Sequence, residues 1–308
     1  MTEILTYLII FLFSYTGVGL LRRWVVRKEI LDIPNERSSH SVPTPRGGGL
    51  IIVLVSLAFY VAGSFFLPIN FHRSFFIGAF LIALISWLDD LFSISFGWRF
   101  LVHSLAAILV ISDLGFWQEI YLPFYGSLPT PGLLGAILTF CWIVWLTNAF
   151  NFMDGIDGIA GLQAVTAGIG WLIVGKMLGA EDAAIFGAVL AFSSLGFLLH
   201  NWQPAKIFMG DVGSAFLGYG FAVLPLLPEK NANSNLLPVI AFVLVFCFVF
   251  DSVLTFLKRL LKKEKVWEAH REHIYQKLVI RGYSHQFVTS LYGAISVIIG
   301  GILIFLFY

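Results

Sequence analysis

Residues 133–158 read LLGAILTFCWIVWLTNAFNFMDGIDG, and this stretch decides the fold. Positions 133–147 carry no charge, and then Asn148, Asn151, Asp154 and Asp157 arrive together, with Gly155 and Gly158 beside the acids. A helix needs about 20 apolar residues to cross a hydrocarbon core of ~30 Å. Asn148, Asn151 and Asp154 are spaced by three and share one side of a helix end. An apolar helix ending in oxygen donors is a membrane span that delivers polar groups to one surface.

The same pattern recurs along the chain. Apolar segments lie at 4–21, 50–67, 74–88, 99–111, 133–149, 159–178, 183–199, 214–227, 236–257 and 287–307. The run 114–134, broken by Pro123, Pro129 and Pro131, is a candidate eleventh or interfacial helix. Only 12% of the 308 residues are charged and mean hydropathy is +0.88. Water-soluble domains carry about twice that charge, so the fold class is all-α, a polytopic helical bundle of ten spans in one domain, 1–308. A net charge of +1 supplies no basic field for nucleic acid. Cys141 and Cys247 sit in apolar runs, without disulfide or metal-ligand spacing, and read as inert buried thiols. The N-terminal run begins with Thr2-Glu3 and ends at Arg22-Arg23 without a small-residue cleavage site, which makes it a first span and not a leader.

Charge sets the orientation. With ten spans, sixteen of the nineteen Lys and Arg residues fall in odd-numbered loops, and the even loops hold only Arg73, Lys176 and Lys230. The positive-inside rule places the odd loops in the cytoplasm and both termini outside. The longest polar stretch, 258–286, is a cytoplasmic insert.

The polar motifs also flank the odd loops. Asp32 to Gly49 contains Asn35, Arg37, Ser38-Ser39-His40, Arg46 and a triple glycine; Asp89-Asp90 precede Arg99. Asn201 to Ser214 contains Lys206, Phe208 and Gly210-Asp211, and the insert carries His270-Arg271-Glu272-His273. Taken singly, each has a plain structural reading. Asp89-Asp90 caps a membrane boundary, Asn148 and Asn151 are interhelical glue, Gly47–Gly49 is a turn, and Asp251 pairs with Arg259. Lys258 to Lys265 meets anionic lipid headgroups. His72, His103, His200 and His285 are structural or interfacial. Five clusters on one side, mixing carboxylates, amides and guanidinium or ammonium groups, suit hard-cation and phosphate chemistry instead. Mg²⁺ takes one or two carboxylates and completes its shell with water and phosphate oxygens. A secondary transporter would place its polar groups at the midplane and show paired repeats, and a non-catalytic lipid-binding scaffold would not need these motifs.

Together these motifs resemble the polyprenyl-phosphate N-acetylhexosamine-1-phosphate transferases, the glycosyltransferase 4 family, to which the phospho-N-acetylmuramoyl-pentapeptide transferase is related. The resemblance runs from Asp32 to Gln276 and is most specific at Asn148–Gly158 and Pro204–Ser214. Asp251-Ser252 with Lys258-Arg259 looks like the family's Asp-Thr…Arg-Arg segment. Tyr275 stands where many members have His, and no role is assigned to it.

The resemblance implies a ten- or eleven-helix bundle with a cytoplasmic groove in a bacterial inner membrane. It implies transfer of a sugar 1-phosphate from a UDP-sugar to undecaprenyl phosphate, releasing UMP, and places the chain nearest the branch that initiates O-antigen. The sugar would be an N-acetylhexosamine or a 6-deoxy derivative. By the same analogy Asp211 and Asn151 hold Mg²⁺, or Mn²⁺ in its place. Asp89 or Asp90 deprotonates or orients the lipid phosphate, or one of them forms a covalent intermediate. Asp154 and Asp157 line the nucleotide side, and Phe208 stacks on uracil. Arg99, Arg271 and His273 meet phosphate oxygens, and Arg46, Asn148 and Lys206 join the substrate-binding set. The expected partners are the UDP-sugar, undecaprenyl phosphate and membrane lipid, with a homodimer an open expectation.

Overall fold

The computed structural model describes residues 2–34, 39, 41–67, 69–122, 125–227, 235–265 and 270–307. Asn35 to Ser38, His40, Pro123 and Lys230, named above, lie outside these. The order is α1 (Thr2–Arg27), β1 (Leu31–Asp32), β2 (Thr44–Pro45), α2 (Gly49–Phe66), α3 (Arg73–Phe92) and α4 (Phe96–Leu114). Then follow β3 (Glu119–Leu122), β4 (Gly126–Pro129), α5 (Gly132–Met153), α6 (Ile159–Leu178) and α7 (Glu181–Asn201). The chain ends with α8 (Asp211–Val223), α9 (Leu237–Leu244), α10 (Phe246–Leu261), α11 (Ile274–Ile280) and α12 (His285–Phe307). The protein is an all-α polytopic membrane protein, with eight helices among the described residues long and apolar enough to cross a bilayer.

Three expectations change. The expected eighth span is short: α8 is 13 residues, continued by a 3-10 turn at Leu224–Leu226. The expected ninth span is broken into α9 and α10, bent by 78°. At the break Val245 leaves helical geometry (φ −115°, ψ 20°), and the Leu244 carbonyl accepts from Gln163 Nε2 at 2.9 Å. Ser296 Oγ lies 3.0 Å from Gln163 Oε1, so the exposed backbone group is satisfied inside the bundle, as apolar surroundings require. The candidate eleventh helix is a β-hairpin in which β3 pairs antiparallel with β4. Gly126 at φ 81° makes its turn, and proline at 129 and 131 deprives a helix of donors.

Helix α7 is the most enclosed span. Ala184, Gly187 and Ala191 let α6 approach on one side, and on another a Cβ at Gly196 would lie 2.7 Å from the Phe11 carbonyl of α1. Ser14 Oγ donates to the Ser193 carbonyl at 2.5 Å, and Ser56 Oγ lies 3.0 Å from Ser193 Oγ. Small residues and interhelical hydrogen bonds take the place of hydrophobic drive where the solvent is lipid. Phe65, Leu133 and Phe305 project outward. The connections after α1, α3, α5, α7 and α10 meet at one end of the bundle.

Candidate active site

The site is built on the junction between the first loop and α8. Gly48 N–H donates to the Phe208 carbonyl at 2.9 Å, Gly49 N–H to Met209 O at 2.8 Å, and Phe208 N–H to Pro45 O at 2.8 Å. A Cβ on Gly49 would lie 2.4 Å from Gly213 Cα. The triple glycine is therefore structural: its Gly48 and Gly49 amides are spent on this lacing, which carries Arg46 over the start of α8.

Three carboxylates and two guanidinium groups meet there. Asp90 accepts the backbone N–H groups of Asp211 at 2.9 Å and Val212 at 3.1 Å, two of the donors that a helix N-terminus leaves unpaired. Gly210, at φ 78°, makes the turn, and a Cβ there would lie 2.7 Å from Asp90 Oδ2. Arg46 Nη2 lies 2.5 Å from Asp90 Oδ1 and 3.2 Å from Asp211 Oδ1. Arg99 Nη1 lies 2.6 Å from Asp89 Oδ2 and 3.0 Å from Asp211 Oδ2. Burial opposes the charge on Arg46, but Asp90 and Asp211 outweigh it and hold the guanidinium above its ordinary range. Asp90 is enclosed, its side chain 4% exposed.

A polar cavity of about 340 Å³ opens beside this cluster, lined by Arg46, Asp154, Asp157, Phe208, Asp211 and Gln276, among others. Helix α5 stops at Met153, and Asp154 is its cap residue (φ −85°, ψ 52°). Burial, and then the charges of Asp211 and Asp90, push the Asp154 carboxyl well above the usual carboxylate range. Asp157 is anchored: Ala205 N–H donates to Oδ2 at 3.1 Å, and His285 Nδ1 lies 3.3 Å from Oδ1. His285, read as structural or interfacial, braces Asp157 and also lines this cavity.

The three residues expected on one side of α5 do not share one cavity. Asn151 Nδ2 donates to Ser214 Oγ of α8 at 3.2 Å. Asn148 faces a second cavity, of about 310 Å³, walled by Phe100, Trp145, Phe152 and Phe256 and by His270 and His273. The end of α5 and the first turn of α11 thus separate a charged cavity from an apolar one. Lys206 is exposed and Arg271 half-buried, and neither is among the residues lining the two cavities.

Two pairings differ from expectation. Arg259 does not reach Asp251; it bonds Glu264 and Glu272, each at 3.0 Å. Asp251 turns to His273 instead. Tyr275 is fully buried, and its hydroxyl donates to the Phe152 carbonyl at 2.9 Å. A Cβ on Gly155 would lie 2.1 Å from that hydroxyl, so Tyr275 ties the histidine motif to the Asp154 loop. Tyr275 and His285 lie 120 residues or more beyond these loop partners, a distance at which no spacing signals a contact.

The fold and site define a membrane-embedded enzyme whose charged pocket abuts an apolar one at one end of a helical bundle. Residues 72–228 match the family model described as glycosyl transferase family 4. The chain is 31% identical over 270 residues, 87% of its length and 74% of the relative's, to a probable undecaprenyl-phosphate N-acetylglucosaminyl 1-phosphate transferase of Bacillus subtilis (strain 168). It is 28% identical over 306 residues to a decaprenyl-phosphate N-acetylglucosaminephosphotransferase of Mycobacterium leprae, covering 90% of the chain and 77% of the relative. It is also 28% identical over 288 residues to an undecaprenyl-phosphate alpha-N-acetylglucosaminyl 1-phosphate transferase of Yersinia pestis, covering 89% and 76%. The chain belongs to glycosyl transferase family 4, among the polyprenyl-phosphate hexosamine-1-phosphate transferases.

Proposed function

We propose that the protein transfers a sugar 1-phosphate from a UDP-sugar to undecaprenyl phosphate. The acceptor phosphate oxygen forms a bond to the sugar-side phosphorus, the bond from that phosphorus to the bridging oxygen breaks, and UMP leaves. The product is undecaprenyl-diphospho-sugar, and the sugar an N-acetylhexosamine or a 6-deoxy derivative. The reaction opens a cell-envelope polysaccharide, such as O-antigen, on the cytoplasmic face of a bacterial inner membrane. The relatives' names, each a polyprenyl-phosphate transferase of N-acetylglucosamine phosphate, agree with this acceptor and sugar class.

One observation carries the proposal: a charged cavity sized for a polar head adjoins an apolar one sized for the start of a lipid tail, across the end of α5. Two anionic reactants repel, and catalysis of phosphoryl transfer is mainly positioning and charge neutralisation. Arg46 and Arg99, each paired with carboxylates, present forks suited to phosphate oxygens. Asp89, less enclosed than Asp90, orients or deprotonates the acceptor phosphate. Asp90 holds Arg46 and the start of α8. Asp154 and Asp157 bound the nucleotide side, where Phe208 is placed to stack on uracil. His273 and Arg271 approach phosphate from the insert.

The donor set fits Mg²⁺, with Mn²⁺ an alternative. The acidic crowding that raises Asp154 is the field a divalent cation relieves. Asp211 and Asn151 would hold the ion, which would supply charge neutralisation to the diphosphate.

A transporter needs its polar site reachable from both sides; these groups gather at one end. The test is UMP release by the purified protein from a panel of UDP-sugars. Release that requires both undecaprenyl phosphate and Mg²⁺, and falls at least about 10³-fold in Asp211→Asn, supports the proposal. No release with any UDP-sugar, or release indifferent to the lipid, ends it.

A further inference from the structure

Asp251 is a buried carboxylate, 1% exposed, on a helix the transfer chemistry does not otherwise use. Five donors converge on it. Oδ1 faces His273 Nδ1 at 3.1 Å, Ile274 N–H at 2.9 Å and Thr255 Oγ1 at 3.2 Å. Oδ2 accepts from Tyr292 Oη at 2.7 Å and Tyr275 N–H at 3.2 Å. Burying a charge this fully is costly unless it is hydrogen-bonded throughout. Here the donors come from α10 itself, from α12 and from the first turn of α11.

An ionised carboxylate is an acceptor only, so the imidazole nitrogen facing it must carry the proton. His273 is itself 4% exposed, and its remaining surface lies in the wall of the apolar cavity with Asn148 and His270. With Nδ1 committed to Asp251, Nε2 is the nitrogen left for whatever enters. The neighbouring Ile274 and Tyr275 amides bind the same carboxylate, so the ring and the backbone that carries it are fixed by one group. Outer partners of this kind set the tautomer and orientation of a working histidine.

We infer that Asp251 is a positioning residue that holds His273 as its Nδ1–H tautomer and aims Nε2 at the phosphate-bearing substrates. The inference rests on the transferase reading for the nature of those substrates, but not for the tautomer. The fold assigns Asp251 this task through three sequence-distant elements, and Tyr292 shares the carboxylate without touching the imidazole.

The experiment combines imidazole ¹⁵N spectra of the detergent-solubilised protein, His273 being assigned by comparison with His273→Gln, with steady-state kinetics of three variants. Wild-type His273 is expected to show a protonated Nδ1 and a bare Nε2. Asp251→Asn is expected to mix the tautomers and lower kcat at least 30-fold, with KM for the UDP-sugar within threefold. Tyr292→Phe is expected to keep both the tautomer and kcat within threefold. A wild-type His273 protonated at Nε2 alone overturns the inference, as does an Asp251→Asn protein with near-normal kcat. So does one that loses kcat while its His273 tautomer is unchanged. If Asp251→Asn does not fold, the wild-type spectrum and Tyr292→Phe decide. A wild-type protein inactive on every UDP-sugar removes the transferase reading, and the ¹⁵N spectrum still answers for Asp251.

Discussion

Asp90 caps the helix that Asp211 begins: the Asp211 N–H donates to Asp90 Oδ1 at 2.9 Å, and Arg46 bridges the two carboxylates. Of the paired aspartates, then, the second is committed to architecture, while the first pairs with Arg99 and is the less enclosed of the two. Asp90→Ala leaves two helix N–H groups without their acceptor and the half-buried Arg46 guanidinium with Asp211 alone, at a cost of about 1.5–3 kcal/mol. Asp90→Asn keeps the shape but not the charge and costs about half of that. Thermal unfolding in detergent should rank wild type above Asn above Ala, with transfer lost in both variants. Equal melting temperatures for all three would mean that the cap does not form.

The packing of Tyr275 under Gly155 makes a second, quantitative expectation. Gly155→Ala inserts a methyl 2.1 Å from the Tyr275 hydroxyl and 3.1 Å from Cζ, an overpacking worth about 1–3 kcal/mol. Tyr275→Phe loses one hydrogen bond, to Phe152 O, at about 1 kcal/mol. The double variant should be more stable than the sum of the singles predicts, because removing the hydroxyl makes the room. Strict additivity in the unfolding midpoints would refute the contact.

His270 sets a pH slope. Burial, then His273 and Arg259, pushes its imidazole from 6.5 down to about 4. Between those values the folded chain binds fewer protons than the unfolded one, so stability rises with pH across that window. The penalty is full below about pH 4 and absent above 6.5. Unfolding measured at pH 7 and pH 5 should show a loss on acidification that shrinks in His270→Gln. An unchanged difference would show that His270 is not the source.

The apolar cavity predicts a kinetic split. Cys141 is not the buried thiol expected of its apolar run: it is an exposed free thiol on this wall, and Trp in its place fills space that the first isoprene units would occupy. KM for undecaprenyl phosphate should rise about tenfold, the equivalent of ~1.4 kcal/mol, with KM for the UDP-sugar unchanged. A rise in both, or in neither, would separate this cavity from the acceptor.

Much of this molecule is readable without coordinates. The apolar segments at 50–67, 159–178 and 287–307 correspond closely to α2, α6 and α12 because lipid imposes length and composition directly on the sequence. The broken span at Val245 is a different matter. Residues 236–257 are uniformly apolar, and what permits the bend is a carboxamide, Gln163, supplied from α6. The hairpin at Glu119–Pro129 was hidden in the same way, since apolar content does not separate an interfacial ladder from a helix.

At the site, composition and spacing determined which residues gather: Arg46, Asp89, Asp90, Arg99, Asp154 and Asp211 stand at the ends of spans that must surface on one side. What only the tertiary structure decided is how they divide the work. Asp90 spends itself on the amides of α8, Asn148 and Asp154 part into different cavities, and Asp251 leaves Arg259 for His273. The physical reason is that burial and hydrophobicity act on each residue through its own position in the chain. A hydrogen bond needs two groups in one place, and here the partners are separated by 22 to 165 residues.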